Sequence, residues 1–455
     1  MNLNPEIFKA YDIRGVYPED LDKDTAYNIG KAFVCFLRKN RKKKNLKIAV
    51  ARDARLSSPL LFKGFSKGVL DQGCDIIDIG LVPTPMLYFA VSNYGYDGGA
   101  IITASHNPNP YNGFKLTKEK AIPLAGPSGI FWMRDYILSE KEKEVILVEK
   151  GKIIKKDIEK DYMDLNFKMA KVKKGEFKGL SLALDAGNGV GGPIALKLLK
   201  SAGVKIFPLY VNPDGSFPNH APNPLIEENI KDLITLVREK NPSLGVALDG
   251  DADRIRFIDE KGNAVSGDLI TGLMAKILLK KNKKIKIIYD IRSSNAVREA
   301  VNEAGGTAIV SCIGHSLIKE KMREEDILFG GELSGHYYFG KDLFYEVPFY
   351  VIFLILREIK EGKIMSGLID SIKKYYQSGE INFKVNNKER KIKEIKNLYS
   401  DGELKEIDGV RIDFKDWWFL VRASNTEPVL RLVIEAKSKE LLEEKKEELA
   451  KLIMQ

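Results

Sequence analysis

The stretch Leu46-Lys47-Ile48-Ala49-Val50-Ala51-Arg52-Asp53-Ala54-Arg55 is an apolar strand that runs straight into a polar loop. Its pattern returns twice, at Leu180 to Gly189 (LSLALDAGNG) and at Ile285 to Ser294 (IKIIYDIRSS), with Asp53, Asp185 and Asp290 at equivalent places. After each copy come a helical stretch, a glycine and a second strand, at Gly73 to Ile79, Gly203 to Leu209 and Gly306 to Cys312. A third apolar strand then enters a polar loop, at Gly99 to Asn107 (GAIITASHN), Leu244 to Asp253 (LGVALDGDAD) and Ile327 to His336 (ILFGGELSGH). Continuous Val/Ile/Leu/Ala strands alternating with helices predict mainly parallel sheets covered on both faces. The repeat therefore predicts three α/β domains, at residues 1–148, 149–254 and 255–365.

The last stretch does not repeat. Strand patterns at Val410 to Phe414, Trp418 to Val421 and Leu430 to Glu435 precede a helix with Leu441, Leu442, Leu449, Leu452 and Ile453 on one face and Ser438 as its N-cap. Residues 366–455 are expected to form a small α+β domain.

Composition agrees with several globular domains. The chain has 455 residues, 44% hydrophobic and 30% charged, where about 150 residues per domain gives about three. The longest apolar run, Phe349 to Leu356, is far short of the roughly 18 residues of a membrane span. Three widely spaced cysteines, Cys35, Cys74 and Cys312, and a start without an apolar signal segment point to a reduced, cytoplasmic setting. Lysine and arginine exceed aspartate and glutamate, 73 to 63, for a net charge of +10. The basic run Arg38 to Lys47 has no interleaved aromatics, so it reads as a solvated helix end and connector, and no nucleic-acid partner is expected.

In doubly wound sheets, ligands gather beyond the carboxyl ends of the strands. The three third-strand loops carry Ser105-His106-Asn107, Asp249 to Asp253, and Glu332 to His336, and are expected to be parts of one site. Asp249, Asp251 and Asp253 alternate around small Gly250 and Ala252, a spacing that calls for a hard cation to offset their repulsion. An EF-hand is excluded: Arg254 stands where that loop needs glycine, although Glu260 falls at its twelfth position, and strands rather than helices flank it. Ser105, at a strand end, is a candidate nucleophile or phosphoryl carrier. The G-x-S-x-G elbow of serine hydrolases is absent. Arg422, Ser424, Asn425 and Thr426 form a donor cluster, with no acid before Glu427, suited to an anion. Gly314-His315-Ser316 and Gly331 to His336 offer polar groups for sugar hydroxyls. Gly187 to Gly192 matches neither a Walker nor a dinucleotide pattern and reads as a strand-to-helix turn.

Four motifs in order, Thr103-Ala104-Ser105-His106-Asn107-Pro108 with Asn112-Gly113-Phe114-Lys115, Asp249-Gly250-Asp251-Ala252-Asp253-Arg254, Gly331-Glu332-Leu333-Ser334-Gly335-His336, and Arg422-Ala423-Ser424-Asn425-Thr426-Glu427-Pro428, resemble the α-D-phosphohexomutase superfamily, closest to its phosphomannomutase/phosphoglucomutase group. The resemblance implies four domains around a central cleft and an enzyme interconverting hexose 1-phosphate and 6-phosphate through a phosphoserine and a 1,6-bisphosphate. It implies Mg²⁺ held by Ser105, Asp249, Asp251 and Asp253, with Arg254, Lys115 and Arg14 of the Tyr11-Asp12-Ile13-Arg14-Gly15 motif assisting. His106, Lys115 and His336 remain alternatives for the general base. Glu332 and Ser334 would hold the O3 and O4 hydroxyls, and the Arg422 cradle would hold the phosphate that is not reacting. Tyr11, Arg292, Gly314, His315, His336 and Arg431 complete the implied substrate-binding set, in a monomer or homodimer. Phosphoglucosamine mutases are similar but usually carry Gln where this chain has Leu333. Arg292 stands where the family often has Lys, and Cys312-Ile313 replace the usual pair before Gly314, departures that bear on substrate contacts.

Overall fold

A computed structural model describes residues 3–39, 45–139, 149–423 and 429–454. The chain forms two compact units. The first comprises Met1–Gly267, Gly314–Phe329 and Ser334–Ser366, and the second Asp268–Ile313, Gly330–Leu333 and Gly367–Gln455. The residues expected to form the third repeat contribute to both.

In the first unit, strand Lys47–Arg52 pairs in parallel with Asp75–Leu81 and with Gly98–Ile102. Its apolar residues are buried, as a strand covered on both faces must be. Helix Lys23–Lys39 starts where the Asp22 carboxylate accepts from Thr25 N at 2.7 Å, and ends with Arg38 and Lys39 in its last turn. It lies so close to helix Ser58–Leu70 that a Cβ on Gly68 would stand 2.1 Å from the Tyr27 carbonyl oxygen. Arg38, from the basic run, turns inward to donate to Gln72 O at 2.6 Å; residues 40–44 of that run lie outside the described residues.

Two antiparallel strands extend this sheet. Tyr111–Lys118 pairs with Gly98–Ile102, setting Lys115 opposite Ile101, and Ile13–Val16 pairs with Tyr111–Lys118, setting Arg14 opposite Gly113. The apolar pattern did not announce either strand, because each carries polar residues committed to other contacts.

The second sheet repeats the theme. Ser181–Asp185 runs parallel to Lys205–Leu209 and to Leu244–Leu248, and the last of these turns back antiparallel into Ile255–Ile258. The glycines from Gly187 lead into helix Gly191–Ser201, the expected strand-to-helix turn. At all three repeats the loop aspartate folds the same turn: Asp53, Asp185 and Asp290 accept from the backbone N of Arg55, Gly187 and Arg292 at 3.0, 2.8 and 2.9 Å. The apolar run from Phe349 lies inside helix Pro348–Lys360 as core. Among the described residues no helix is long and apolar enough to cross a membrane.

In the second unit, Lys286–Asp290 pairs in parallel with Thr307–Ser311. The C-terminal sheet is antiparallel, ordered Tyr376–Gln377, Val429–Ala436, Trp417–Ala423, Val410–Asp413, Glu403–Lys405, with Ile381–Lys384 also on Val429–Ala436. Helix Lys439–Met454 starts at Ser438, whose Oγ accepts from Leu441 N at 3.2 Å, and buries Leu442, Leu449 and Ile453 as the periodicity predicts. Trp418 is fully buried, donating to Glu435 at 2.7 Å beneath the Arg411 guanidinium, 3.7 Å from the ring centre. Arg411 also donates to Ile291 O at 2.9 Å, tying the third repeat's first loop to the C-terminal sheet. The fold is three α/β repeats followed by a C-terminal α+β domain.

Gly68→Ala should cost about 1–3 kcal/mol of stability by overpacking two helices whose backbones cannot separate locally. The drop would be read as a lower denaturant midpoint at unchanged slope; an unchanged midpoint would contradict this packing.

Candidate active site

Strand Gly98–Ile102 delivers Thr103, Ala104 and Ser105 to its carboxyl end. Ser105 adopts φ 49°, a left-handed conformation rare for a residue with a Cβ. Thr103 Oγ1 holds it there by accepting from Ser105 N at 2.8 Å. The serine is 1% exposed. Its Oγ donates to Asp249 Oδ2 at 2.6 Å and lies 3.4 Å from His106 Nδ1. Burial, with Arg254, Arg14 and Lys115 nearby, holds the His106 imidazole well below its ordinary pKa.

The acidic loop sits between an outgoing and a returning strand, not between helices. Asp249, Asp251 and Asp253 are buried, and one oxygen from each falls within 4.8 Å of the others. Lys115 Nζ reaches into this group, 2.7 Å from Asp251 and in contact with Asp253. Burial alone would favour the neutral amine; Asp251, Asp253 and Asp249 outweigh it and raise the Lys115 pKa. Asp249, buried beside two carboxylates, is pushed well above the usual range. For Asp253, burial pushes the other way but Lys115 and His336 prevail, holding it well below. Glu260 accepts from Ser366 Oγ at 2.5 Å and takes no part in the loop.

These residues fit a hard cation. Three buried carboxylates face one lysine ammonium, with the Arg254 guanidinium 3.9 Å from Asp249, so negative charge remains in excess. Asp251 Oδ2 accepts from Thr84 Oγ1 at 2.5 Å, while Oδ1 is buried with no hydrogen-bond partner among the described residues. All the donors are oxygens, the ligand type that suits Mg²⁺ and its relatives. A second buried group, Asp253, His336 and Glu346, is equally close. There, however, Lys319 Nζ stands 2.7 Å from Glu346 and supplies the positive charge itself, so the three-aspartate loop is the metal candidate.

Other expected residues of the first unit join this cluster. Arg14 donates to Asn107 Oδ1 at 2.6 Å and pairs with Asp12. Arg254 Nε donates to His336 Nε2 at 3.3 Å and lies 3.9 Å from Asp249. His336 Nε2 is 3.3 Å from Asp253, and its Nδ1 is 2.9 Å from Ser334 Oγ. His315 stacks on His336 with ring centres 6.4 Å apart; burial and the Lys319 charge keep its pKa well below the ordinary value. Gly314, at φ 125°, packs against the Tyr11 ring.

The second unit holds the remainder. Arg292 donates to both Asp290 oxygens, at 3.0 and 2.9 Å, and lies 3.8 Å from Glu332. Leu333 N donates to the same Asp290 at 2.8 Å. Arg422 and Arg431 stand opposite each other on paired strands and share Glu380, at 3.3 and 2.9 Å. Glu380, 42 residues upstream of Arg422, balances the paired arginines. Ser424, Asn425 and Thr426, expected in the same cradle, lie outside the described residues. Glu380, Thr84, Lys319 and Glu346 were missed because no spacing in the chain links them to the motifs they touch.

Models of the phosphoglucomutase/phosphomannomutase family match the chain in order: α/β/α domain I at residues 5–142, domain II at 158–262, domain III at 266–375 and the C-terminal domain at 380–452. The chain belongs to this family. It is 38% identical to a phosphomannomutase of Methanocaldococcus jannaschii over 98% of this chain and 97% of that one. It is 35% identical to a phosphoglucomutase of Neisseria gonorrhoeae over 97% and 95%. A phosphoglucomutase/phosphomannomutase family protein from Burkholderia thailandensis superposes with a TM-score of 0.88 at 32% identity, covering 99% of this chain and 97% of the other. Membership makes the protein an intramolecular phosphotransferase, an isomerase of hexose phosphates.

Lys115→Met should leave the three aspartates without their buried counter-charge and cost about 3–5 kcal/mol in chelator-treated protein. Denaturant midpoints should recover in part when a divalent cation is added; equal stability of variant and wild type in chelator would refute the role.

Proposed function

We propose that the enzyme interconverts the 1- and 6-phosphates of mannose and/or glucose, with Ser105 as the phosphoryl carrier, Mg²⁺ in the aspartate loop and a hexose 1,6-bisphosphate as intermediate and activator. The observation that carries this reading is the Ser105 hydroxyl bonded at 2.6 Å to a buried carboxylate of that loop. Ser105, Asp249, Asp251 and Asp253 would hold the ion. When bound, it would supply charge neutralisation to the transferring phosphoryl group.

Starting from phosphoserine, the bond from phosphorus to Ser105 Oγ breaks as one forms to the free sugar hydroxyl, whose proton leaves to a base. The bisphosphate then presents its other phosphate: the bond from phosphorus to that sugar oxygen breaks as one forms to Ser105 Oγ, and the base returns its proton to the freed oxygen. Lys115 and Arg254 place positive charge beside the same loop, and Arg14 steadies Asn107. His106, 3.4 Å from the Ser105 hydroxyl, His336 and Lys115 are the candidates to accept the sugar hydroxyl's proton, Lys115 being engaged by two aspartates. We assign Glu332 and Ser334 to the sugar hydroxyls. Arg292, Arg422 and Arg431, with Ser424, Asn425 and Thr426, take the non-reacting phosphate, and Tyr11, Gly314 and His315 border the sugar. The free cysteines Cys35, Cys74 and Cys312 support a reducing, cytoplasmic location.

The test mixes protein, Mg²⁺ and a trace of bisphosphate with mannose, glucose or glucosamine 1-phosphate. The 6-phosphate of mannose or glucose should form with almost no free phosphate. Continuous phosphate release would indicate a phosphatase instead, and no isomerisation would reject the proposal. Ser105→Ala should lower turnover by about a thousand-fold or more. Independently of activity, Mg²⁺ should raise the melting temperature of the wild type, and Asp251→Asn should abolish most of that shift.

A further inference from the structure

We infer that Arg55 is the positioning residue of the phosphoryl-carrying loop, holding Ser105 in place through the loop's backbone. The inference rests on the proposed role of Ser105, and nothing in the four motifs includes Arg55.

The guanidinium is 1% exposed and all five of its N–H donors are used. Nη2 donates to the carbonyl oxygens of Ser105 at 2.9 Å and Asn107 at 2.6 Å. Nη1 donates to those of Pro108 and Tyr111, both at 2.9 Å. Nε donates to Asp53 Oδ2 at 3.1 Å, which fixes the plane of the fork. One side chain therefore gathers four carbonyls of a seven-residue turn from 105 to 111, the turn in which Ser105 is left-handed. A loop so bound has few ways to relax, and the φ of 49° at Ser105 persists because its neighbours are tied.

A second contact seals the arrangement. Phe217, from the second repeat, lies over the guanidinium at 5.1 Å from the ring centre. Gly215 bridges to Arg55 as an isolated β-pair, and a Cβ there would stand 2.1 Å from Ala54 O. The approach needs glycine. The aromatic face covers a charge already turned toward carbonyls, and water is kept from competing for those bonds. Arg55 thus fixes where the Oγ stands relative to the aspartate loop, and phosphoryl transfer depends on that placement.

The experiment compares full-length wild type, Arg55→Met and Arg55→Lys. Arg55→Met should lose about a hundred-fold in kcat while KM for glucose 1-phosphate moves by less than about threefold, because the arginine touches loop and not substrate. Phosphate released per isomerisation should rise as the phosphoserine loses its fixed setting. Arg55→Lys, with three donors for five acceptors, should fall between the two. Hydrogen exchange should quicken selectively in residues 103–111 of Arg55→Met, a readout that needs no turnover. If the wild type itself fails to isomerise, the assigned activity is wrong, and the exchange result alone decides the loop's dependence on Arg55. A folded Arg55→Met with kcat within about twofold of wild type, or with unchanged exchange in that loop, overturns the inference. So does an equal kcat loss in Gly68→Ala, whose lesion is remote. Should Arg55→Met fail to fold, Phe217→Leu takes its place: a lower kcat at constant KM supports the inference, and no change overturns it.

Discussion

Three carboxylates within 4.8 Å of one another and shut away from water set the terms for everything nearby. Taking an ion out of water costs several kcal/mol even after relaxation, and like charges at this range add to it. The surroundings answer with cations from different parts of the chain. Lys115 comes from the antiparallel extension of the first sheet and Arg254 from the start of the returning strand, while His336, from the third repeat's loop, places a ring nitrogen 3.3 Å from Asp253. The serine hydroxyl, a donor, points its proton at the same group. Lys115 and Ser105 of the first repeat are thus bonded to the aspartate loop of the second.

The repeated aspartate turn shows how one local device is reused for separate ends. In the first repeat the residue two beyond the aspartate is Arg55, which binds the third-strand loop through its carbonyls. In the third repeat it is Arg292, which remains folded on Asp290 while that aspartate also takes Leu333 N from the third-strand loop. In the second it is Gly187, and the aspartate accepts instead from His220 Nε2 at 3.1 Å. Each first-strand loop is tied to a neighbouring polar loop, by a different bond.

Much of this was legible in the sequence. Buried parallel strands must be continuously apolar, so Ile48–Ala51, Leu182–Leu184 and Ile287–Tyr289 declare themselves, and the loops that follow stand out by contrast. Asp249, Asp251 and Asp253 are legible because like charges at alternate positions need a reason. Ser105 gains meaning only from occupying the same repeat position. What escaped was whatever acts across long separations. Arg55 reaches a loop 50 to 56 residues away, and Glu380 meets strands 42 and 51 residues downstream; nothing local marks either. Strands Ile13–Val16 and Tyr111–Lys118 escaped for a related reason, since their inward polar residues interrupt the apolar alternation that would have marked them.

The division of the third repeat has a consequence for how such a chain can change over time. The chain passes between units at 267/268, 313/314, 329/330, 333/334 and 366/367, five crossings. No single cut releases either unit whole, and no terminal truncation removes one cleanly. Glu332 and Ser334, two residues apart, belong to different units. Gene rearrangements that shuffle domains work where boundaries are crossed once, as before the C-terminal domain at residues 380–452; the woven third repeat can be exchanged only together with its neighbours.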